Sequence, residues 1–318
     1  MRTAILLAIA GTLTAAGVRV RTQQEDRLLG GPIAGYSIGA DIRVILGAPG
    51  ATHYSAPFAV PAGVNEVRVG PGHEWLIAFR GEGESTSVWM PDRGVEFPLA
   101  DVRGEGWEIG FGGGEAVFYS RAEARALVYR GLPDAPELAA AVNAADWPAG
   151  LERLVVHGTT IAAAARNGDV WLLAADGEPA MRQLADGVLP GSILFEPGSE
   201  RLLALAAGRL VAVEAPKQGT GAVLVMEIEG GFSARARLFA GDAGSLFIAD
   251  PAGRVIRLDP ATGTAEATET GPFDAAVALR WHGNLLLEGK GDTRIYSGSS
   301  GERLHWAPVV ARKSEVIE

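Results

Sequence analysis

Apolar and polar residues along this chain fall into short runs of four to six, separated by Gly, Asn, Asp and Pro. Such runs read as strands joined by tight turns. One run recurs. Ile42-Arg43-Val44-Ile45, Ser87-Val88-Trp89-Met90, Ala126-Leu127-Val128-Tyr129, Asp169-Val170-Trp171-Leu172, Arg209-Leu210-Val211-Ala212, Arg254-Val255-Ile256-Arg257 and Arg294-Ile295-Tyr296-Ser297 are seven copies of one phrase. Their spacing of about 42 residues, with several short strands per unit, is the signature of a β-propeller.

Each repeat parses into four strands, counted from the axis outward. In the clearest repeat Leu151–Val156 is the first and Ile161–Ala165 the second. Asn167-Gly168 supplies the tight turn, because both residues tolerate positive φ. Val170–Leu173 and Met181–Ala185 complete the unit. Strands near the axis are expected to be solid apolar runs, such as Leu202–Leu205 and Leu285–Leu287, and outer ones to alternate, as Thr264–Glu269 does. A single segment departs from the strand pattern. Asp134–Val142 has an N-cap residue, an early Pro and good helix formers, which predicts a short helix replacing or preceding an outer strand.

The first repeat is incomplete. Ala34–Ile38, Ile42–Leu46 and Tyr54–Ala59 supply second, third and fourth strands. A closed ring leaves no open sheet edge. The missing inner strand is therefore expected from Ala311–Ile317, giving an all-β, seven-bladed propeller whose two chain ends share one blade. A six-bladed ring with an added N-terminal strand pair is the alternative.

Composition adds the compartment. Met1-Arg2-Thr3 precedes an apolar run from Ala4 to Ala16, with small residues at Ala15-Ala16-Gly17 and polar ones directly after. That is the pattern of a secretory signal peptide, and the run is too short to span a bilayer comfortably. The expected layout is a signal peptide at 1–17 and one propeller domain at 18–318. The protein is expected to be periplasmic or secreted, with no stable membrane span, and monomeric. Cys is absent from all 318 residues, which excludes disulfides, thiol nucleophiles and Cys-ligated metals. The net charge of −10 argues against nucleic acid as a partner, since binding it needs clustered Lys and Arg.

Two stretches are similar to known repeat propellers. Ala249 to Gly263, reading ADPAGRVIRLDPATG, resembles the strand-turn-strand phrase of NHL, YVTN and quinoprotein-like bacterial propellers. Ile295 to Trp306 resembles a quinoprotein repeat ending in its docking Trp. The resemblance implies the fold. In the quinoprotein family that Trp recurs in every blade, whereas the equivalent positions here are near Thr268 and Met226, so no family cofactor site carries over.

Candidate chemistry is sparse. Gly35-Tyr36-Ser37-Ile38-Gly39 matches the G-x-S-x-G nucleophile elbow, but a strand rather than a helix follows it, so it reads as a strand between glycines. His73, His157 and His282 sit near the ends of first strands and would share a rim, while His53 and His305 stand apart; Glu115 and Asp242 are the carboxylates at matching positions. No pair of histidines has metal-ligand spacing. Gly112-Gly113-Gly114 lacks the Lys and Ser/Thr of a phosphate loop and reads as a hairpin turn. Trp75, Trp89, Trp107, Trp147, Trp171, Trp281 and Trp306 read as packing between blades. No catalytic, cofactor or metal residue is assigned. The leading expectation is a non-catalytic scaffold that binds a protein or small-molecule ligand through one rim, using turns such as Arg80–Ser85 and Pro216–Gly221. The alternative is a carbohydrate-active hydrolase or lyase, or a quinoprotein-like oxidoreductase, with its site at the axis.

Overall fold

The computed structural model describes residues 33–38, 42–47, 52–72, 75–81, 83–104, 106–174, 180–182, 187–214, 221–241, 244–279, 284–289, 292–297 and 305–308. The expected export segment, the expected closing strand at 311–317 and the turn at 216–220 lie outside the described residues. Among the described residues no helix is long and apolar enough to cross a membrane.

The strands form antiparallel meanders, each in sequence order. Ile33–Ile38 (β1), Ile42–Leu46 (β2) and His53–Tyr54 (β3) make a three-stranded sheet. Val64–Val69 (β4), Leu76–Arg80 (β5), Ser85–Met90 (β6) and Val95–Arg103 (β7) follow. Next come Glu108–Phe111 (β8), Glu115–Ser120 (β9), Arg125–Arg130 (β10) and Glu137–Asn143 (β11). Leu151–His157 (β12), Thr160–Ala165 (β13), Val170–Ala174 (β14) and Ala180–Arg182 (β15) repeat the plan. So do Val188–Phe195 (β16), Leu202–Ala206 (β17), Arg209–Val213 (β18) and Ala222–Glu227 (β19). Arg237–Ala240 (β20), Leu246–Asp250 (β21), Arg254–Asp259 (β22) and Thr264–Glu269 (β23) come before Ala275–Leu279 (β24), Asn284–Gly289 (β25), Asp292–Ser297 (β26) and His305–Pro308 (β27).

First strands of successive sheets meet. β8 and β12 run parallel and join through Phe111 and Val155, and β12 packs on β16, β16 on β20 and β20 on β24. The approach of β8 to β12 depends on glycine. A Cβ on Gly110 would stand 2.5 Å from the Leu154 backbone, and one on Gly112 would overlap the Val156 carbonyl oxygen. Gly112-Gly113-Gly114 is thus the β8–β9 hairpin, closed by the Gly112 amide donating to the Glu115 carbonyl at 2.9 Å.

Between the sheets lies the core. Ile77, Phe79 and Val88 pack against Trp107, Phe118 and Leu127. Val117, Tyr119 and Val128 pack against Leu154, Val156 and Ile161. Ala162, Ala164 and Leu172 meet Ile193, Leu202 and Val211, and Leu203 and Leu205 meet Leu246 and Ile248. Phe247 and Val255 meet Leu285 and Tyr296. Tyr36 and Val44 join the first sheet to Leu76 and Ala78, and Ile45 of that sheet joins Leu286 and Ile295 of the last. Alternate residues of each second strand serve opposite neighbours, as a period of two requires. Each fully buried Leu, Ile or Phe contributes about 1.5–3 kcal/mol relative to exposure.

Two sequence expectations are corrected. Glu137–Asn143 is a strand, not a helix: it pairs antiparallel along β10 from Arg130–Glu137 to Arg125–Asn143. β10 would otherwise present an unpaired backbone edge, and satisfying that edge outweighs the helix propensity of Leu138-Ala139-Ala140-Ala141. The fully buried strands are also not the innermost ones. β5, β13, β17 and β21 are buried almost throughout, while β4 and β20 are half-exposed. Second strands have neighbours on both edges and both faces, whereas a first strand has one face or edge turned to the centre. β23 is exposed along nearly its whole length.

Candidate functional site

A repeated hydrogen bond builds one rim. The amide just after or near the end of a fourth strand donates to the turn between second and third strands: Gly104 to Glu84, Ala144 to Ala124, Ile228 to Gly208 and Thr270 to Gly253, at 2.7–3.2 Å. The arginine opening the recurrent phrase serves the same rim. Arg254 donates to the Gly231 carbonyl, and Arg294 donates to the Thr270 carbonyl at 2.9 Å, each reaching back to the preceding sheet. Asp250 accepts from the Ser233 amide at 2.8 Å and hydroxyl at 2.6 Å, tying the segment before β20 to the end of β21.

On this rim lies a shallow cavity of about 310 Å³, lined by Pro148, Gly150, Arg166, Asn167, Asp169 and Trp171 among others. Asn167 and Asp169 lock the β13–β14 turn: Asn167 Nδ2 donates to Asp169 Oδ2 at 2.7 Å, and the Asp169 amide donates to Asn167 Oδ1 at 3.1 Å. The Arg166 amide donates to the Gly150 carbonyl at 3.0 Å, which fixes the two walls. The Arg166 guanidinium stays exposed, 4.0 Å from Glu152. Trp171 is half-buried, so part of its ring faces the cavity.

The first strands carry the second group of polar side chains. Arg68 on β4 donates to Glu66 at 2.5 Å and to the Trp107 carbonyl at 3.0 Å, and lies 5.3 Å from the centre of the Phe79 ring. Burial pushes the Glu108 carboxyl on β8 up, against the pull of Arg68 and Arg121. The side chains of Arg153 on β12 and Arg237 on β20 form no hydrogen bond or ion pair among the described residues.

The histidine expectations separate. His157 ends β12, its ring 5.7 Å from that of Phe195. His53 pairs with Leu46 and His305 with Ser297 in their ladders. His73, His282 and Asp242 lie outside the described residues. Among the described residues no three His, Asp or Glu side chains converge as a metal site. Ser37 lies in β1, and its neighbour Tyr36 donates to Asp92 at 2.6 Å, so the first four residues of the G-x-S-x-G match, Gly35 to Ile38, lie in a strand. Trp75, Trp89, Trp107 and Trp147 are buried between sheets, Trp75 edge-on to Phe111 at 5.7 Å. Arg80, at the proposed binding turn, is engaged with Ser85, Ser87 and Glu96. The rim cavity and the Arg153–Arg237 pair were missed in the sequence, because neither forms a local motif.

No family model matches the sequence, and no curated relative does. Solved structures do. The chain is similar to AztD from Citrobacter koseri, with a TM-score of 0.55 at 13% identity over 85% of this chain and 92% of that one. It is also similar to the Pan2 WD40 domain of Neurospora crassa, with a TM-score of 0.50 at 11% identity over 83% and 88%. The fold is a β-propeller built from repeats. At these identities the likeness carries the fold alone.

Proposed function

We propose that the protein is an exported, non-catalytic, monomeric β-propeller that binds a protein or small ligand through one rim. The observation that carries this reading is the cavity of about 310 Å³ between Pro148–Gly150 and the Arg166–Asp169 turn. The Arg166–Gly150 backbone hydrogen bond and the Asn167–Asp169 side-chain bonds hold the walls, which leaves the exposed Arg166 guanidinium and the cavity-lining part of Trp171 to meet a partner. The apolar run from Ala4 to Ala16 supports export to the periplasm or beyond.

The ring has seven blades in this reading. Cores between successive sheets, together with the Ile45–Leu286–Ile295 contact between first and last, support closure. The first blade holds β1, β2 and β3, and in this reading the two ends of the chain share it.

The test is a ligand screen by thermal shift, with a count of substrate consumed. A stabilising ligand whose effect is lost in Trp171→Ala and Arg166→Ala, and which is recovered unchanged, supports the reading. Turnover of the ligand, or stabilisation unaffected by both substitutions, opposes it.

A further inference from the structure

The charges on the first strands fall into two kinds. Arg68 is compensated by Glu66 and by the Trp107 carbonyl. The Arg153 and Arg237 side chains have no such partner among the described residues, and the neighbouring charge that acts on Arg153 is that of Arg237. Arg153 stands opposite Ala164 in the β12–β13 ladder, and Arg237 stands opposite Ala249 in the β20–β21 ladder. On β12, Arg153 shares a face with Val155, which packs toward the β16 sheet. From the other side, the Arg237 side chain reaches over β16. Its Cγ and guanidinium lie 3.8–3.9 Å from where a Cβ on Gly191 would stand. The two arginines therefore converge on β16 from its two sides. Ser192, beside them, is already engaged, its hydroxyl donating to the Ala236 carbonyl at 2.5 Å.

We propose that Arg153 and Arg237 form a clamp for a small oxyanion, a carboxylate or phosphate group, held over Gly191 of β16.

Arg153 Nε is shut off from water and has no partner, while the residue as a whole keeps part of its surface exposed. The side chain thus lines a narrow accessible space. A buried donor left unmade is costly, and an unpaired buried cation more so. Enclosure, aided by the neighbouring Arg237 charge, lowers the Arg153 pKa to about 10. An oxyanion between the two forks satisfies both at once, since a guanidinium matches carboxylate and phosphate with two parallel hydrogen bonds. Arg237 is exposed and Arg153 is enclosed, so the ligand is met by the first and seated by the second. This site is separate from the rim cavity and stands whether or not that cavity binds a partner.

The experiment is thermal denaturation of the full chain in inorganic phosphate, acetate or chloride at matched ionic strength. Wild type melts higher with rising phosphate or acetate, saturably; the more effective anion identifies the group. Arg237→Gln and Arg153→Met each weaken the apparent affinity about tenfold or more, the loss expected for a charged hydrogen bond. Arg237→Lys, which keeps charge without the fork, also weakens it, and Arg130→Gln at the end of β10 does not. In chloride, Arg153→Met melts at or above wild type, because an unpaired enclosed charge is gone. No saturable, oxyanion-specific shift in wild type overturns the proposal. So does a shift that survives in the exposed variant Arg237→Gln, whatever becomes of Arg153→Met.

Discussion

Ile45 of β2 packs against Leu286 of β25, so the first and last described sheets share a core. Both side chains are fully buried. Ile45→Ala is expected to lower stability by about 2–5 kcal/mol, the range for removing a buried aliphatic side chain. Urea denaturation measures it, and limited proteolysis should then release the chain ends first. A loss under about 0.5 kcal/mol, the scale of a surface substitution, would contradict a shared core.

Gly253 tests the rim hydrogen bond. Its φ is +118°, and a Cβ there would stand 2.8 Å from the Gly271 carbonyl carbon. Gly263 also has positive φ, +68°, but open space around it. Gly253→Ala is expected to cost about 1–3 kcal/mol from backbone strain, plus the displacement of Gly271. Gly263→Ala is expected to cost only about 1 kcal/mol. Equal losses by denaturant titration would mean that the close approach is unimportant.

Asp250 gives a pH dependence. Burial alone would raise its carboxyl, but donation from the Ser233 hydroxyl and amide and from the Ala252 amide, with the Arg254 charge nearby, outweighs it and holds the pKa below the usual carboxylate range. The folded state therefore favours the ionised form. This stability is fully present above the unfolded value of about 3.9 and is lost as pH falls through the lower folded value. Wild type should lose melting temperature more steeply below about pH 4 than Asp250→Asn. Superimposable slopes for the two proteins would remove Asp250 from the rim's support.

The sequence carried the strands because each packs by a period of two around a repeated phrase. Leu202–Ala206 and Leu246–Asp250 announce themselves as apolar runs between turn residues. The arginines at 254 and 294 were visible as part of that phrase, but their partners were not, since each reaches a carbonyl in the preceding repeat. Glu137–Asn143 misled because helix propensity is local, whereas the unpaired edge of β10 is a tertiary fact. Arg153 and Arg237 sit two repeats apart and differ in sequence context. Only the placement of β12, β16 and β20 side by side brings them together. The cavity around Trp171 was hidden for a related reason, because its walls come from separate segments, one before β12 and one after β13.

The proposal that one rim binds a ligand without transforming it can be tested at Trp171. The most direct measurement is calorimetric titration of a screened ligand into wild type and Trp171→Ala, followed by chemical recovery of the ligand. Saturable binding to wild type, binding weakened at least about tenfold in the variant, and ligand recovered intact are expected. Equal affinity in both proteins, or a ligand recovered as product, would contradict it.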